Sequence, residues 1–209
     1  RPLLEEALAK RWPVALTYGL TEATSQVATA PPDEVRRKPG TVGRPLPGVE
    51  VAIREPDAEG VGEILVRGPT VALLPPAPPG EPGVRLAPSG WLHTGDLGRR
   101  DGDGDLWITG RASLRIVSGG VTLEPGEVEA VLLRHPAVRD VVVMGVPDES
   151  WGERVVAVVV PADPEAPPSP EEILDFARGH LSAAKRPREL RIRSELPRNA
   201  NGKVDRGRL

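Results

Sequence analysis

The chain has 209 residues, enough for one large domain or two small ones. Its net charge of −3 gives no general reason to expect a nucleic-acid partner, and the lack of Cys excludes disulfides and thiolate metal sites. Only 3% of the residues are aromatic, so aliphatic side chains must supply the core.

The first half of the sequence predicts a β-rich region. Residues 3–11 predict a helix, and "VALTYGL" predicts a buried strand that runs into a turn. Pro and charged residues over 30–47 predict a loop, whereas "GVEVAI", "GEILVRG" and "DLWITG" predict short strands. Residues 69–90 contain "PPAPPGEPG", in which each Pro lacks a backbone donor, so we expect a mobile loop there.

The pattern changes after Arg111. "LRIVSGGVTLEPGEVEAVLLRHPAV" predicts a strand, a Gly-Gly turn, a short strand and a helix. The β-branched runs "VRDVVVMGV" and "RVVAVVVPA" are typical of buried strands. After the linker "DPEAPPSP", Ser169 as N-cap and Pro170 at the first helical position predict a last helix. We therefore expect an α+β chain of two pieces that divide near residues 110–113.

Two metal-binding patterns fail on inspection. "DGDGDLWITGRA" begins like a calcium loop, but Leu106 stands where that loop needs Gly and Ala112 where it needs Glu. An Asp/Gly turn between strands is the better interpretation. The three histidines, at 93, 135 and 180, are scattered without ligand spacing.

Four short motifs follow one another, and each has an ordinary structural explanation. In Tyr18-Gly19-Leu20-Thr21-Glu22 the last two residues also fit a helix cap. "GWLHTGDLG" contains Asp96, which fits a turn. "ITGRASLRIVSGG" ends in Ser118-Gly119-Gly120, which fits a plain hairpin. "PRNANGK" ends in Lys203, which by itself fits a solvated surface charge.

In this order and spacing, the four motifs resemble the adenylate-forming superfamily of acyl- and aryl-CoA synthetases, luciferases and nonribosomal adenylation domains. The resemblance covers essentially the whole chain. It implies that residues 1–111 are the β-rich end of a large N-terminal domain, with a distorted β-barrel subdomain. It further implies that residues 112–209 are a mobile α+β lid domain, with a central sheet flanked by helices.

The resemblance also implies a two-step ligation. A carboxylate attacks the α-phosphate of ATP to give acyl-adenylate and pyrophosphate, and the thiol of CoA then displaces AMP. ATP, Mg²⁺ and CoA are the implied cofactors, and a small-molecule carboxylic acid is the implied partner. A homo-oligomer is left open. No apolar run approaches the roughly 18 residues of a membrane span, so we expect no membrane insertion. The absence of Cys fits a reducing compartment, and we expect a cytoplasmic protein.

Residue roles in the first step follow from the same resemblance. Thr21 hydrogen-bonds phosphate oxygens and Glu22 helps to hold Mg²⁺. Tyr18 and Gly19 line the adenine and acyl sites, where a glycine lets a flat substrate approach the backbone closely. Asp96 accepts both ribose hydroxyls, a task suited to a carboxylate with two acceptor oxygens.

Further roles are implied along the rest of the chain. Ile108 packs near the nucleotide, and Arg111 contacts ribose or phosphate. Lys203 bridges the attacking carboxylate and the α-phosphate, which suits a point charge on a long stem. Rotation about a hinge at Ser113 then replaces Lys203 with the Ser118-Gly119-Gly120 loop, which lines the pantetheine channel.

Several stretches resemble o-succinylbenzoate-CoA ligases of menaquinone synthesis in particular: "YGLTEATSQ", "VGRPLPGVEV" and "VSGGVTLEPGEVEAVLLRHPAV". By analogy with aryl-CoA ligases, Thr24 and Ser25 are expected at the acyl pocket. Other aryl- or fatty-acyl-CoA ligases share much of the sequence in these stretches. A carrier-loading adenylation domain and a non-catalytic truncated binding module also stay open.

The upstream part of the family pattern is absent from this sequence. A Ser/Thr/Gly-rich phosphate loop ending in Lys-Gly lies upstream in the superfamily, and none occurs here. The sequence opens with Arg1, not Met, inside a predicted helix. We therefore expect a C-terminal fragment that is inactive on its own.

Overall fold

The computed structural model describes residues 2–72, 84–200 and 202–209. The chain divides into two compact units, residues 3–113 and residues 114–209. The division lies two residues beyond the expected one between 111 and 112.

The first unit is built mainly of strands. Its helices and strands in chain order are α1 (Pro2–Ala9), β1 (Leu16–Leu20), β2 (Ser25–Ala30), α2 (Pro32–Arg37), β3 (Glu50–Arg54), β4 (Gly62–Arg67), β5 (Arg85–Leu86), β6 (Leu92–Arg100) and β7 (Leu106–Arg111).

Strand β6 is the centre of the main sheet of this unit. It pairs antiparallel with β4 along one edge, and with β5 and then β7 along the other. Strand β3 extends the sheet through β4, whereas β1 and β2 form a separate two-stranded ribbon. Within the described residues β3 and β7 do not pair, so the sheet is open and the expected barrel is not closed.

The core of the first unit joins the ribbon to the sheet. In β4, buried Gly62, Ile64 and Val66 alternate with half-exposed residues, the period of two that a one-sided strand requires. Ile64 and Val66 belong to one buried cluster with Val27 of β2 and Tyr18 of β1. This packing fixes the ribbon, and with it the Tyr18 motif, against the sheet.

The second unit has more regular elements. In chain order they are β8 (Ile116–Ser118), β9 (Val121–Leu123), α3 (Pro125–Leu132), β10 (Val138–Asp148), β11 (Gly152–Pro161), α4 (Pro170–His180) and β12 (Glu189–Ile192). Strand β11 pairs antiparallel with β10 and parallel with β12, and it meets the β8–β9 hairpin at Gly152.

Both faces of this sheet are buried, as the continuous valine runs predict. Neighbouring side chains of a strand point to opposite faces. Val141 and Val143 therefore pack with residues of α3 and α4 in one cluster, whereas Val142 packs in another with Leu196. The two helices α3 and α4 pack on one face, as expected of a sheet flanked by helices, and residues of the C-terminal segment cover the other face.

Most predicted elements are confirmed, and three need correction. The predicted loop over 30–47 contains α2, with acidic residues in its first turn and basic ones in its last. The first helix ends at Ala9, since Arg11 has a left-handed φ of 56°. Strand β1 is buried only at Tyr18, because it lies in a two-stranded ribbon.

The proline-rich stretch of the predicted mobile loop, residues 75–83, lies outside the described residues, as do residues 73 and 74. At the far end of that loop, Arg85 and Leu86 form β5.

Candidate functional site

The centre of the site in the first unit is Asp96. It lies in β6, directly opposite Arg111 of β7, and the Arg111 Nε is 3.5 Å from its Oδ1. The hydroxyl of Tyr18 donates to its Oδ2 at 2.8 Å. Three of the residues expected at the nucleotide are thus in contact. The turn interpretation of Asp96 is wrong, since the residue lies within a nine-residue strand.

The backbone at Asp96 is fixed by a residue that sequence reasoning missed. The amide of Asp96 donates to Thr94 Oγ1 at 3.0 Å, and the Thr94 hydroxyl donates to the carbonyl of Ile64 at 2.8 Å. Thr94 is fully buried. The sequence signal for this role is only a Thr two residues before a predicted ligand, and its burial is visible only in the structure.

Tyr18 acts as a neutral donor. Burial, followed by the negative charge of Asp96, raises the pKa of the Tyr18 phenol well above its usual range. The phenol therefore keeps its proton at neutral pH and orients the carboxylate, which leaves lone pairs of Asp96 for other donors.

The turn after β1 carries Thr21, Glu22 and Thr24, and Ser25 follows as the first residue of β2. Thr21 begins a short 3-10 turn whose N-cap is Leu20, with no side-chain cap hydrogen bond, so the helix-cap interpretation is wrong. Thr21 and Thr24 are exposed, and Glu22 is half-exposed. The Glu22 carboxylate forms no ion pair with a described residue, and its oxygens are of the kind that Mg²⁺ prefers.

This turn has an unusual backbone. Thr24 and Ser25 have φ values of 58° and 129°, in a region that residues with a Cβ seldom enter. Two hydrogen bonds hold it to the segment after β4: Thr24 Oγ1 donates to the Thr70 carbonyl at 2.5 Å, and the Ala72 amide donates to the Glu22 carbonyl at 2.8 Å. Strain of this kind persists only where the surroundings fix it.

Gly19 is explained by strand pairing. A Cβ at this position would lie 1.7 Å from the carbonyl oxygen of Ser25, where the register between β1 and β2 shifts. The neighbouring strand therefore already requires a glycine here. Close approach of a substrate to Gly19 stays a prediction.

Ile108 is half-buried against the first unit's core, and its partner in β6 is Gly98. Ser113 is exposed in a 3-10 turn, Ala112–Leu114, and is the last residue of the first unit. Its role as a hinge stays a prediction.

The Ser118-Gly119-Gly120 motif forms a tight hairpin. Ser118 pairs with Val121, and the two glycines have φ values of 58° and 80°, which a two-residue hairpin of this kind needs. The hairpin interpretation is therefore confirmed, and it does not exclude the role implied by the resemblance.

Trp151, which sequence reasoning missed, supports this hairpin. A Cβ on Gly119 would lie 2.7 Å from its ring, and the Gly119 amide donates to its carbonyl at 2.9 Å. The Arg188 guanidinium stacks 3.5 Å from the ring centroid. Trp151, Val117 and Val121 all leave apolar surface exposed.

Lys203 lies in a hydrogen-bonded turn of the second unit. Its amide donates to Asn199 Oδ1 at 3.0 Å and its carbonyl accepts from the Asn199 amide at 2.8 Å. The side chain is exposed, and Nζ forms no ion pair within the described part of the chain. The backbone is thus fixed while the charge stays accessible.

The calcium-like sequence folds around a lysine. Asp101, Asp103 and Asp105 each accept from Lys38 Nζ, at 2.8, 2.6 and 2.6 Å. The ammonium group takes the place that a cation would need, which confirms the Asp-rich turn. Its function is to tie the end of α2 to the turn between β6 and β7.

Two protein-family models match the chain, one in each half. The "AMP-binding enzyme" family model matches residues 2–73, and the "AMP-binding enzyme C-terminal domain" model matches residues 127–203. Together they cover more than half of the chain. The chain belongs to the AMP-binding, or adenylate-forming, superfamily.

Two similar members of the superfamily are named for joining succinylbenzoate to CoA. A 2-succinylbenzoate–CoA ligase of Bacillus mycoides (strain KBAB4) is 40% identical over 217 residues, which cover 100% of this chain and 44% of that enzyme. The o-succinylbenzoate CoA synthetase (MenE) of Bacillus subtilis, in complex with the acyl-adenylate intermediate OSB-AMP, is 38% identical with a TM-score of 0.84. That match covers 99% of this chain and 43% of the solved one.

The same Bacillus subtilis enzyme in complex with ATP and magnesium ion gives a TM-score of 0.83 at 38% identity, over 100% of this chain and 43% of that one. The chain thus spans less than half the length of these superfamily members. No helix among the described residues is long and apolar enough to cross a membrane.

Proposed function

We propose that this chain is the C-terminal part of an ATP-dependent o-succinylbenzoate–CoA ligase of menaquinone synthesis. The observation that carries the proposal is the Asp96 carboxylate, held between the Tyr18 hydroxyl and Arg111. A carboxylate oriented in this way suits the two hydroxyls of a ribose. The likeness to the enzyme solved with OSB-AMP supports the choice of acid.

In the first half-reaction, an oxygen of the substrate carboxylate forms a bond to the α-phosphorus of ATP. The bond to the bridging oxygen breaks, and pyrophosphate leaves. Negative charge gathers at the α-phosphate, so fixed donors and cations lower the barrier. Thr21 supplies a hydroxyl donor, Lys203 a mobile cation, and Arg111 a cation beside Asp96.

Glu22 is the residue that would hold Mg²⁺. Its half-exposed carboxylate has no cationic partner among the described residues, which leaves it available to the ion. Mg²⁺ bound with ATP would neutralise phosphate charge. Thr24 and Ser25, in the strained turn two residues beyond, are the proposed acyl-pocket residues.

In the second half-reaction, the sulfur of CoA attacks the acyl carbon. The thiol proton is lost, the bond from carbon to the adenylate oxygen breaks, and AMP leaves. The Ser118-Gly119-Gly120 hairpin is the proposed guide for the thiol arm, since its glycines carry no side chains. Ser113 is the proposed hinge for the exchange of roles between this hairpin and Lys203.

The test uses the protein encoded by the whole gene around residues 1–209. We expect the coding sequence upstream of Arg1 to contain the Ser/Thr/Gly-rich loop. We expect the product to convert o-succinylbenzoate, ATP, Mg²⁺ and CoA to thioester, AMP and pyrophosphate. The proposal would be contradicted if the upstream sequence lacked the Ser/Thr/Gly-rich loop, or if o-succinylbenzoate gave no AMP. AMP release that needs a carrier protein in place of CoA would favour an adenylation domain.

Lys203→Ala separates the half-reactions. We expect pyrophosphate exchange to fall by roughly two orders of magnitude or more, because a cation is removed from the developing charge. Thioester formation from supplied acyl-adenylate should be largely retained. Lys10→Ala, which removes an exposed lysine paired with Glu6, is the matched control and should change neither rate.

A further inference from the structure

The turn that carries Lys203 is closed by hydrogen bonds within its own segment, from both the backbone and the side chain of Asn199. Asn199 holds both polar backbone groups of Lys203, and the Gly202 amide donates to the Asn199 carbonyl at 2.9 Å. A β-bridge joins Arg198 to Val204 on either side. The Asn- and Gly-rich composition favours a mobile tip, whereas these contacts fix the described residues Asn199, Gly202 and Lys203.

Arg198 ties this turn to the sheet. Its Nη1 donates to the carbonyl of Gly202 at 2.8 Å, one residue before the catalytic candidate. Its Nη2 donates to Asp140 Oδ2 of β10 at 2.6 Å. One planar guanidinium therefore joins the turn to a strand, a geometry that the single ammonium of a lysine cannot reproduce.

Arg206 makes a second anchor on the other side of Lys203. Its Nη1 donates to the Val143 carbonyl of β10 at 2.5 Å, and its Nη2 donates to Glu129 Oε1 at 3.1 Å. The same Glu129 oxygen accepts the Val143 amide at 2.8 Å. The Arg206–Glu129 ion pair thus gives hydrogen-bond partners to both the amide and the carbonyl of Val143 in β10. Because Arg206 lies three residues beyond Lys203, this contact also fixes the chain on that side of the lysine.

We infer that Arg198 and Arg206 are positioning residues for Lys203. They hold the turn from both sides, so that only the lysine side chain has to find the reacting atoms. Such restraint lowers the entropy lost on reaching the productive geometry. The inference rests on the proposed role of Lys203. It adds two residues that act through Lys203 and touch no substrate themselves.

The sheet contacts give the two anchors a structural role as well, so the test must separate the roles. An arginine that only stabilises the second unit would affect both half-reactions alike when it is replaced. A positioning residue affects the half-reaction that needs Lys203 and spares the other.

The experiment compares Arg198→Met, Arg206→Met and Arg206→Lys with Arg139→Met in the protein encoded by the whole gene. Arg139 is a matched control, because it also joins β10 to the C-terminal segment, donating to the Ser194 carbonyl at 3.1 Å. We expect the Arg198 and Arg206 variants to lose roughly 10- to 100-fold in pyrophosphate exchange. Their thioester formation from supplied acyl-adenylate should stay within about twofold, and Arg139→Met should change neither rate.

Equal losses in both half-reactions, or no loss in either, would overturn the inference. Lys203→Ala in the same series tells the two proposals apart. If it leaves adenylation intact, the proposed role of Lys203 fails. If it abolishes adenylation and the arginine variants do not, only the positioning fails.

A second measurement needs no activity and uses the 209-residue chain. We expect hydrogen exchange at the Lys203 amide, which is bonded to Asn199, to speed up at least about tenfold in Arg198→Met while amides of β11 keep their protection. Because the Arg198 side chain is about half-exposed, we expect Arg198→Met to fold. This variant therefore keeps the test available even if Arg206→Met does not fold. Unchanged exchange at Lys203 would overturn the anchoring.

Discussion

The hydroxyl of Tyr18 donates to Oδ2 of Asp96 at 2.8 Å, across 78 positions of sequence. This hydrogen bond joins the two-stranded ribbon to the central strand of the main sheet. It brings together two motifs that the sequence presents separately.

The first prediction concerns the ionisation of Tyr18, the only tyrosine in the chain. Because its pKa is raised in the folded state, we expect no tyrosinate absorbance from the native protein at about pH 11, one unit above the ordinary value. The protonated phenol contributes its full stabilisation of the folded state below the pKa of the unfolded chain. This contribution is lost as the pH rises from the unfolded pKa through the folded one. Asp96→Asn should lower the folded pKa, since it removes a negative charge. Native ionisation near pH 10 would contradict the prediction.

Tyr18→Phe keeps the ring and removes the donor. We expect the free energy of unfolding at neutral pH to fall by about 1 to 2 kcal/mol, measured by denaturant titration, because a hydrogen bond to a charged group is lost.

A second prediction compares the two glycines of the second unit's hairpin. Gly119→Ala should destabilise the chain by about 1 to 2 kcal/mol through its left-handed backbone, and by about 1 to 3 kcal/mol more through the clash with Trp151. Gly120→Ala should show the backbone cost alone, since a Cβ there meets nothing within 4 Å. Equal losses in denaturant titrations of the two variants would contradict the role of Trp151.

A third prediction concerns Lys38 and its three aspartates. Lys38→Met should lower the Tm at pH 7, because three carboxylates then face one another with only the exposed Arg44, 3.6 Å from Asp105, as a cation. The lysine lowers the pKa of Asp101 and Asp105. The contribution of these carboxylates to folding stability is present above about pH 4 and is lost as the pH falls. The Tm values of the wild type and the variant should therefore converge in acid.

The control for this series is Lys10→Met, which removes an exposed pair with Glu6 and should cost less than about 0.5 kcal/mol. Similar melting shifts for the two lysine variants would show that the cluster has no special role.

The fourth prediction concerns Glu34, one of whose oxygens is buried without a partner in the described structure. Burial, then the hydrogen bond and charge of Asp105, raises the pKa of Glu34. The contribution of protonated Glu34 to folding stability is therefore present at acid pH and is lost as the pH rises through its raised pKa. Glu34→Gln, which keeps a donor for Asp105, should raise the Tm at pH 7 and make little difference near pH 4. A lower Tm at pH 7 would contradict this.

The site could be predicted from the sequence only in part. The family resemblance carried by the four motifs implied that Tyr18, Asp96 and Arg111 lie at one nucleotide site, and the structure brings the three residues into contact. The roles of Gly19 and Lys203 rested on resemblance, because a glycine or a tail lysine by itself has no distinctive local pattern. Trp151, Thr94 and the arginine anchors were missed, since each acts on a residue that is distant in sequence or through a buried hydroxyl.

The sequence by itself determined strands β8 to β11 of the second unit, the capped helix after Ser169 and the two-residue hairpin at Gly119. These depend on neighbours within a few positions, through β-branched runs, a side-chain cap and glycines at positive φ. Only the tertiary structure decided that the C-terminal segment covers one face of that sheet and that Lys203 lies in an anchored turn. Such contacts depend on pairings between distant segments, which no local pattern specifies.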